Sequence, residues 1–443
     1  MKKWKPQTKP LKILDAHIPT EDKVERLDFN KHVAPPGKFI KWLERFLAKL
    51  LTKPYQKQIT LEVDNIDNNK QYLFIGTHMS FLDMPSVVNA MPYKEIIYIS
   101  AIDAANDYTN WLLSKVGIIF KRKFVKDLVL LKNMKYSITK YKTSSLMLYP
   151  EARYSLDGCR SYIPNSMGKL AKFLKLPVVV CKLEGNYITS PQWRGKKVVC
   201  PIKTSVKEII NEDELNSLTE DEISDKILKQ MDRDDFKYQK ENNIIIDDPD
   251  RAYGLGSLLY KCPHCKTEFM MEGVGTKLIC HHCQKEWEMN ELGELVALNG
   301  ETEYKHIPEW FNWQKKEVSQ EISLGNYHFE DKVVIHTLPT GRKISKLLKN
   351  GFIHHGYGHI SQDNKGTWKL TGHIYNKDQE IIWEPLYLDG LHIEYKYMHT
   401  QDCLDISTIE ESYWCYPTTA KNVVTKLSLA TDEFHRLANL DVK

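Results

Sequence analysis

Residues 72–83 read Tyr72-Leu-Phe-Ile-Gly-Thr-His-Met-Ser-Phe-Leu-Asp83. The first five residues are an apolar run closed by glycine, the pattern of a strand buried on both faces. A histidine ends that strand, and an aspartate follows five positions later in a turn leading to a helix. In an open α/β sheet, ligands bind at the carboxyl ends of the strands. A neutral imidazole placed there can take a proton from an attacking hydroxyl. A carboxylate on its other ring nitrogen fixes the tautomer and stabilises the imidazolium. Taken alone, the spacing of His78 and Asp83 fits equally well a surface histidine beside a helix-capping aspartate.

The surroundings extend this pattern. Segments 95–100, 145–149 and 177–183 read as further buried strands, and 81–91, 103–116, 126–142 and 165–175 have helical patterning. Strands alternating with helices predict an α/β domain with a largely parallel sheet flanked by helices. Residues 205–240 read as charged and helical, with Ser217, Thr219 and the acids 220–222 as start signals. At 443 residues, 42% of them apolar and 27% charged, the chain is an ordinary folded protein of about three domains. The predicted divisions are an N-terminal segment 1–54, the α/β domain 55–240, a linker 241–257, a cysteine-rich module 258–295 and a β-rich domain 300–443. No run of 18 apolar residues exists, so no spanning segment is expected. The basic N-terminus lacks the apolar core of a secretory signal. A net charge of +4 is too small to imply nucleic acid.

Residues 38–53 carry Phe39, Ile40, Leu43, Phe46, Leu47, Leu50 and Leu51 at helical spacing, and Lys38, Lys41, Arg45, Lys49 and Lys53 fill most other positions. Such a helix can lie in a lipid headgroup layer with its cations toward anionic lipids. It can also pack on its own domain with a solvated basic face.

Three more strand ends carry polar groups in a fixed order: Val116-Gly-Ile-Ile-Phe-Lys-Arg-Lys123, Leu148-Tyr-Pro-Glu-Ala-Arg-Tyr-Ser-Leu-Asp-Gly158, and the proline-led Leu176-Pro-Val-Val-Val-Cys-Lys182. With the preceding His-(x)4-Asp, these four blocks make residues 60–200 resemble the glycerolipid acyltransferase family, of which lysophosphatidic acid acyltransferase is a member. The resemblance implies that His78 is the general base and Asp83 its orienting partner. It gives Glu151 a role in acceptor binding or site architecture. It makes Lys121, Arg122 and Lys123 a clamp for an acceptor phosphate, and it places Arg153 among the substrate-binding residues. Gly117 and Phe120 match the opening of the second block, and Pro177 is placed at the acyl-binding region. The chain departs from the family pattern at Ala152, where the family has glycine, and at Tyr154, where it has arginine, so that Arg153 stands one residue early. Lys123 likewise stands at an arginine position, and lysine cannot make the bidentate fork.

The implied enzyme is an O-acyltransferase of phospholipid biosynthesis. It moves a fatty acyl group from acyl-CoA or acyl-carrier protein to a lysophospholipid, 1-acylglycerol 3-phosphate first. It is expected in the cytoplasm, peripheral on the membrane's cytoplasmic face through 38–53. An amino lipid, glycerol 3-phosphate or a sugar lipid is the alternative acceptor. A different class altogether is a non-catalytic scaffold that binds a partner protein. Because a thioester is already activated, positioning and a base can suffice for the chemistry.

The second strong motif is Cys262-Pro-His-Cys265, fourteen residues, then Cys280-His-His-Cys283. Two Cys-x-x-Cys pairs at this spacing predict a zinc ribbon with a closed structural Zn2+. An iron site or an unmetallated redox pair are the alternatives. His264, His281 and His282 read as bystanders. The acidic flank (Glu268, Glu272, Glu286, Glu288, Glu291) argues against a phosphate backbone as partner. The five other cysteines are scattered, as in a reducing compartment. Beyond residue 300, period-two alternation around 368–375 and 393–397 predicts strands. The five tryptophans 310, 313, 368, 383 and 414 are expected in the core, and 351–359 reads as a hairpin with exposed histidines. Residues 418–440 read as a helix.

Overall fold

The computed structural model describes residues 20–24, 26, 28–104, 115–338, 353–397 and 401–440. The chain divides into two compact units. One comprises Asp28–Lys121 and Asp127–Ile246. The other comprises Met1–Leu27, Arg122–Lys126 and Asp247–Lys443. Among the described residues, no helix is long and apolar enough to cross a membrane.

The unit spanning Asp28–Ile246 is mixed α/β. In chain order it contains α1 (Lys38–Thr52), β1 (Ile59–Val63), β2 (Leu73–Gly76), α2 (Asp83–Ala90), β3 (Ile96–Ala101), β4 (Ile118–Lys121), α3 (Leu128–Lys140), β5 (Ser145–Leu148), α4 (Met167–Leu174) and β6 (Val178–Glu184). There follow α5 (Asn186–Thr189), β7 (Ile202–Ile210), α6 (Glu212–Ser217), α7 (Glu220–Met231) and α8 (Asp235–Glu241). The seven strands lie in the order β1-β7-β6-β2-β5-β3-β4, parallel throughout except for the antiparallel β6–β7 pair. Leu73, Phe74 and Ile75 are fully buried, because helices cover both faces of the sheet. Ile75 and Leu148 pack beneath the side carrying Met134 and Ile227. Phe74 and Met147 pack on the other side with Ala48, Val87 and Val88. After β2 the chain moves right to β3 and β4, returns to β5, and then crosses to β6 on the left. The carboxyl end of β2 is therefore a topological switch point, where open α/β sheets bind ligands.

Three details differ from the sequence reading. Residues 205–210 form most of β7, not helix, because they complete a sheet between β1 and β6. The expected helix start does appear just beyond: Thr219 caps α7 in a capping box with Glu222. Second, α1 is apolar on two edges. Ala48 and Thr52 face the domain, while Phe39, Trp42, Phe46 and Leu50 are 67%, 53%, 52% and 53% exposed. Their rings stack along the helix, Phe39 on Trp42 at 5.9 Å and Trp42 on Phe46 at 5.8 Å. Trp42 belongs to this exposed stripe, whereas Ile40 packs against the domain core. Third, the turn-rich 241–257 is not loose. Ala252 and Leu255 are fully buried, and α9 (Leu255–Leu258) packs on the cysteine-rich sheet. Most of the helix expected over 103–116 lies outside the described residues.

The second unit holds a four-stranded antiparallel sheet in the order β11-β10-β9-β8, from β8 (Met271–Val274), β9 (Lys277–Cys280), β10 (Glu286–Met289) and β11 (Leu295–Ala297). Then come α10 (Ile307–Ser323), seven antiparallel strands and α11 (Val424–Leu440). The strands are β12 (Phe329–Thr337), β13 (Ile353–Gln362), β14 (Trp368–Ile374), β15 (Lys377–Trp383), β16 (His392–Tyr397), β17 (Gln401–Ser407) and β18 (Ser412–Pro417). They lie in the order β15-β14-β13-β12-β18-β17-β16. Trp310, Trp368 and Trp414 are core residues. The expected hairpin within 351–359 is not seen, since residues 353–359 run in the single strand β13, and the expectation of exposed histidines fails at His355, which is buried. Its Nε2 lies 2.8 Å from Thr337 Oγ1, and its Nδ1 accepts from the Tyr375 backbone N–H at 3.2 Å. A bulge at Ile335/His336 in the β12–β13 pair turns it inward.

Candidate active site

The β2 strand delivers His78 to the mouth of the sheet. The hydrogen bonds of the sheet continue past Gly76: Thr77 N–H donates to Cys181 O at 3.1 Å, and Leu183 N–H donates to Thr77 Oγ1 at 2.9 Å. The chain then turns into α2, and Asp83 stands at its first residue. His78 Nδ1 lies 3.1 Å from Asp83 Oδ2. The same oxygen accepts the backbone N–H groups of Met79 at 2.6 Å and Ser80 at 3.0 Å. Asp83 Oδ1 accepts from Asn186 Nδ2 at 2.9 Å, so α5 supports the carboxylate from the far side. The carboxylate is 2% exposed, but the imidazole keeps 24% of its surface open. With Nδ1–H donated to Asp83, Nε2 is the ring nitrogen left to accept a proton.

Glu151 locks this loop to the next one. Its Oε1 accepts the backbone N–H of His78 at 3.1 Å, and its Oε2 accepts that of Ser161 at 2.9 Å. Oε2 also pairs with Arg233 at 2.9 Å, with both side chains fully buried. Burial works to lower the Arg233 pKa, but Glu151, Asp235 and Asp83 outweigh it and hold the guanidinium above its ordinary value. Burial pushes the neighbouring Asp235 carboxyl up to about 7, against the opposing pull of Arg233 and of the Tyr187 and Gly185 N–H groups. Glu151 thus acts through the backbone of His78. Arg233 is a member of the site that no motif in the sequence marks. Between the two loops the chain bends at Ala152, which has a left-handed φ of 56°. That geometry is the physical reason glycine suits this position.

Two tyrosines frame the imidazole. The Tyr149 ring stacks on His78 at 4.4 Å with planes 22° apart, and the Tyr154 ring lies 4.4 Å away at 56°. Gly76 makes this possible, since a Cβ there would lie 2.5 Å from Tyr149 Cε1. The nearby serines are committed to their own turns. Ser80 Oγ accepts from Leu82 N–H at 3.2 Å, and Ser155 Oγ donates to Cys159 O at 2.6 Å.

The other residues singled out in the sequence fall elsewhere. Arg153 follows Glu151 in the same loop and is 7% exposed. Gly117, Phe120 and Lys121 lie on or beside β4, the outermost strand, three strand spacings or roughly 14 Å from β2. Pro177 stands at the opposite end of β6 from His78, where its carbonyl accepts Leu73 N–H at 2.9 Å. Arg122 and Lys123 belong to the second unit. There Arg122 donates to Leu338 O at 3.1 Å and Ser412 Oγ at 2.9 Å, and it lies 3.9 Å from Glu411. Lys123 lies 3.7 Å from Asp405.

The four-cysteine cluster is built from two matching knuckles. In each, the residue after the second cysteine is left-handed: Lys266 at φ 63° and Gln284 at φ 62°. Lys266 N–H returns to Cys262 O at 2.9 Å, and Gln284 N–H to Cys280 O at 2.8 Å. Sγ–Sγ separations are 3.8 Å for Cys262–Cys283 and 3.7 Å for Cys265–Cys280, and all four sulfurs lie within 4.8 Å of one another. Tetrahedral zinc with bonds of about 2.3 Å places its sulfurs about 3.8 Å apart, so the four thiols fit that ion. Among the histidines, His281 Nε2 is turned to Glu272 at 2.7 Å.

No family model matches the chain, and no curated protein matches it in sequence. Among solved structures it is similar to the 1-acyl-sn-glycerophosphate (LPA) acyltransferase PlsC from Thermotoga maritima, at 16% identity and a TM-score of 0.35 over 44% of this chain and 78% of that one. A TM-score of 0.35 is too low for this likeness to bear on activity.

Elemental analysis of the full chain is expected to give one zinc per polypeptide, and none in Cys283→Ser. Chelation should lower thermal stability strongly, since structural zinc sites supply on the order of 10 kcal/mol. A protein equally stable with and without metal would count against a structural ion.

Proposed function

We propose that the chain is an O-acyltransferase that joins a fatty acyl thioester to a lipid-borne hydroxyl, with His78 as the base. The observation that supports this most is the His78–Asp83 pair at the switch point, its imidazole open and its carboxylate buried. The order of the four sequence blocks across this same sheet favours acyl transfer over other uses of a histidine base.

The chemistry follows from the geometry. An acceptor O–H gives its proton to His78 Nε2 as its oxygen attacks the thioester carbonyl carbon. Asp83 stabilises the resulting imidazolium through the Nδ1–H bond. The tetrahedral intermediate then collapses, the C–S bond breaks, and the imidazolium returns the proton to the departing sulfur. The products are an ester and a free thiol, so neither metal nor covalent acyl-enzyme is required by the balance. Ser80 and Ser155, held in their turns, support direct attack by the acceptor. Acyl-CoA or acyl-carrier protein would supply the thioester.

The exposed stripe of α1 supports a membrane-borne acceptor. Phe39, Trp42, Phe46 and Leu50 form an apolar ridge flanked by Lys38, Arg45 and Lys49, the composition of a helix lying in a headgroup layer. Aromatic side chains suit that depth because they are amphipathic or polarisable. Such attachment is reversible and weakens with salt.

Thiol release from an acyl-CoA in the presence of lysolipid acceptors tests the base. His78→Ala is expected to lower acceptor-dependent release by at least a hundredfold. Equal rates in wild type and His78→Ala would refute the assignment. Separately, Trp42→Glu with Phe46→Glu should weaken co-sedimentation with anionic vesicles at least tenfold. Undiminished sedimentation would remove α1 as the docking element.

A further inference from the structure

We propose that the acceptor subsite beside His78 is aromatic and selects an uncharged, hydroxyl-bearing headgroup over a phosphomonoester. This rests on the acyltransferase reading and names the substrate class of that same site. The observation is the pair of rings on the base: Tyr149 stacked at 4.4 Å and Tyr154 tilted at 4.4 Å. Aromatic faces carry the negative lobe of the ring quadrupole. They stack on the apolar face of a glycerol or sugar and repel a dianion.

Among the described residues, the cations that the sequence offered for a phosphate are engaged by other groups. Arg233 is fully buried and paired with Glu151. Arg122 and Lys123 are held by Glu411 and Asp405 in the second unit. Arg153, next to Tyr154, has only 7% of its surface open. Lys197 is the exception: it lies 5.5 Å over the ring of Phe81, the exposed residue between His78 and Asp83, in a cation–π contact that keeps its charge. Moving a phosphomonoester from water against aromatic rings is costly unless a cation pairs with it, whereas a neutral polyol needs only hydrogen bonds. The Tyr154 ring thus lies against His78 at the position where the family pattern has arginine.

The experiment compares a monoacylglycerol with a lysophosphatidate of the same acyl chain, in the full-length protein. Two readouts are taken: equilibrium binding of each lipid without acyl donor, and thiol release from acyl-CoA. Wild type is expected to bind and turn over the monoacylglycerol at least tenfold better. Tyr154→Arg should shift that ratio at least tenfold toward lysophosphatidate, and Tyr154→Phe should keep the wild-type ratio. Preference of wild type for lysophosphatidate would overturn the inference while leaving the acyltransferase reading intact. A ratio unchanged in a folded Tyr154→Arg protein would also overturn it. Tighter binding of the monoacylglycerol with no His78-dependent thiol release would support the aromatic subsite and defeat the acyltransferase reading instead.

Discussion

The hydrogen bond between His78 Nδ1 and Asp83 is the constraint around which the α/β unit is arranged. Asp83 alone gathers four donors: the imidazole, two backbone N–H groups of its own turn, and the Asn186 amide. Those contacts fix the carboxylate before any substrate arrives, which is the condition for preorganised catalysis. The turn that carries His78 is in turn held by Glu151, whose charge is balanced by Arg233 from beyond α7. Removing either partner of such a buried pair strands a charge and costs about 3–5 kcal/mol. The His78 imidazole is thus positioned by three separate stretches of chain that meet only in the folded sheet.

How far this was readable in the sequence depends on the range of the interaction. Strands β2, β3, β5 and β6 were legible because each is a short apolar run with turn signals at its ends. The His78–Asp83 pair was legible because both residues lie within one turn. The cysteine knuckles were legible for the same reason, since each Cys-x-x-Cys closes on itself. Arg233 was not, because its link to Glu151 spans 82 positions and leaves no local pattern. Strand β7 was misread as helix because its charged residues, such as Lys207 and Glu208, mask a strand whose other face is buried in the sheet. The exposed apolar edge of α1 was not separated from its buried edge, because a helix with two apolar edges has no single period to recognise.

The cationic cluster at 121–123 shows the opposite failure. Three adjacent cations suggested one anion clamp, yet the backbone carries them into different surroundings. Lys121 ends an edge strand of one unit, while Arg122 and Lys123 lie against Glu411 and Asp405 of the other. Composition reports which charges are near in sequence, and only the fold reports which are already neutralised. Tyr154 makes the complementary point. As a letter it is a missing arginine, but in three dimensions it is a ring placed on the His78 imidazole.

The central claim is that Asp83 holds His78 with its proton on Nδ1, leaving Nε2 basic. Nitrogen-15 NMR of the His78 ring in the full chain reads this directly at neutral pH. The expected spectrum shows a protonated Nδ1 and an unprotonated Nε2, with that bias lost in Asp83→Asn. A ring protonated on Nε2, or a tautomer indifferent to the Asp83→Asn change, would contradict the account.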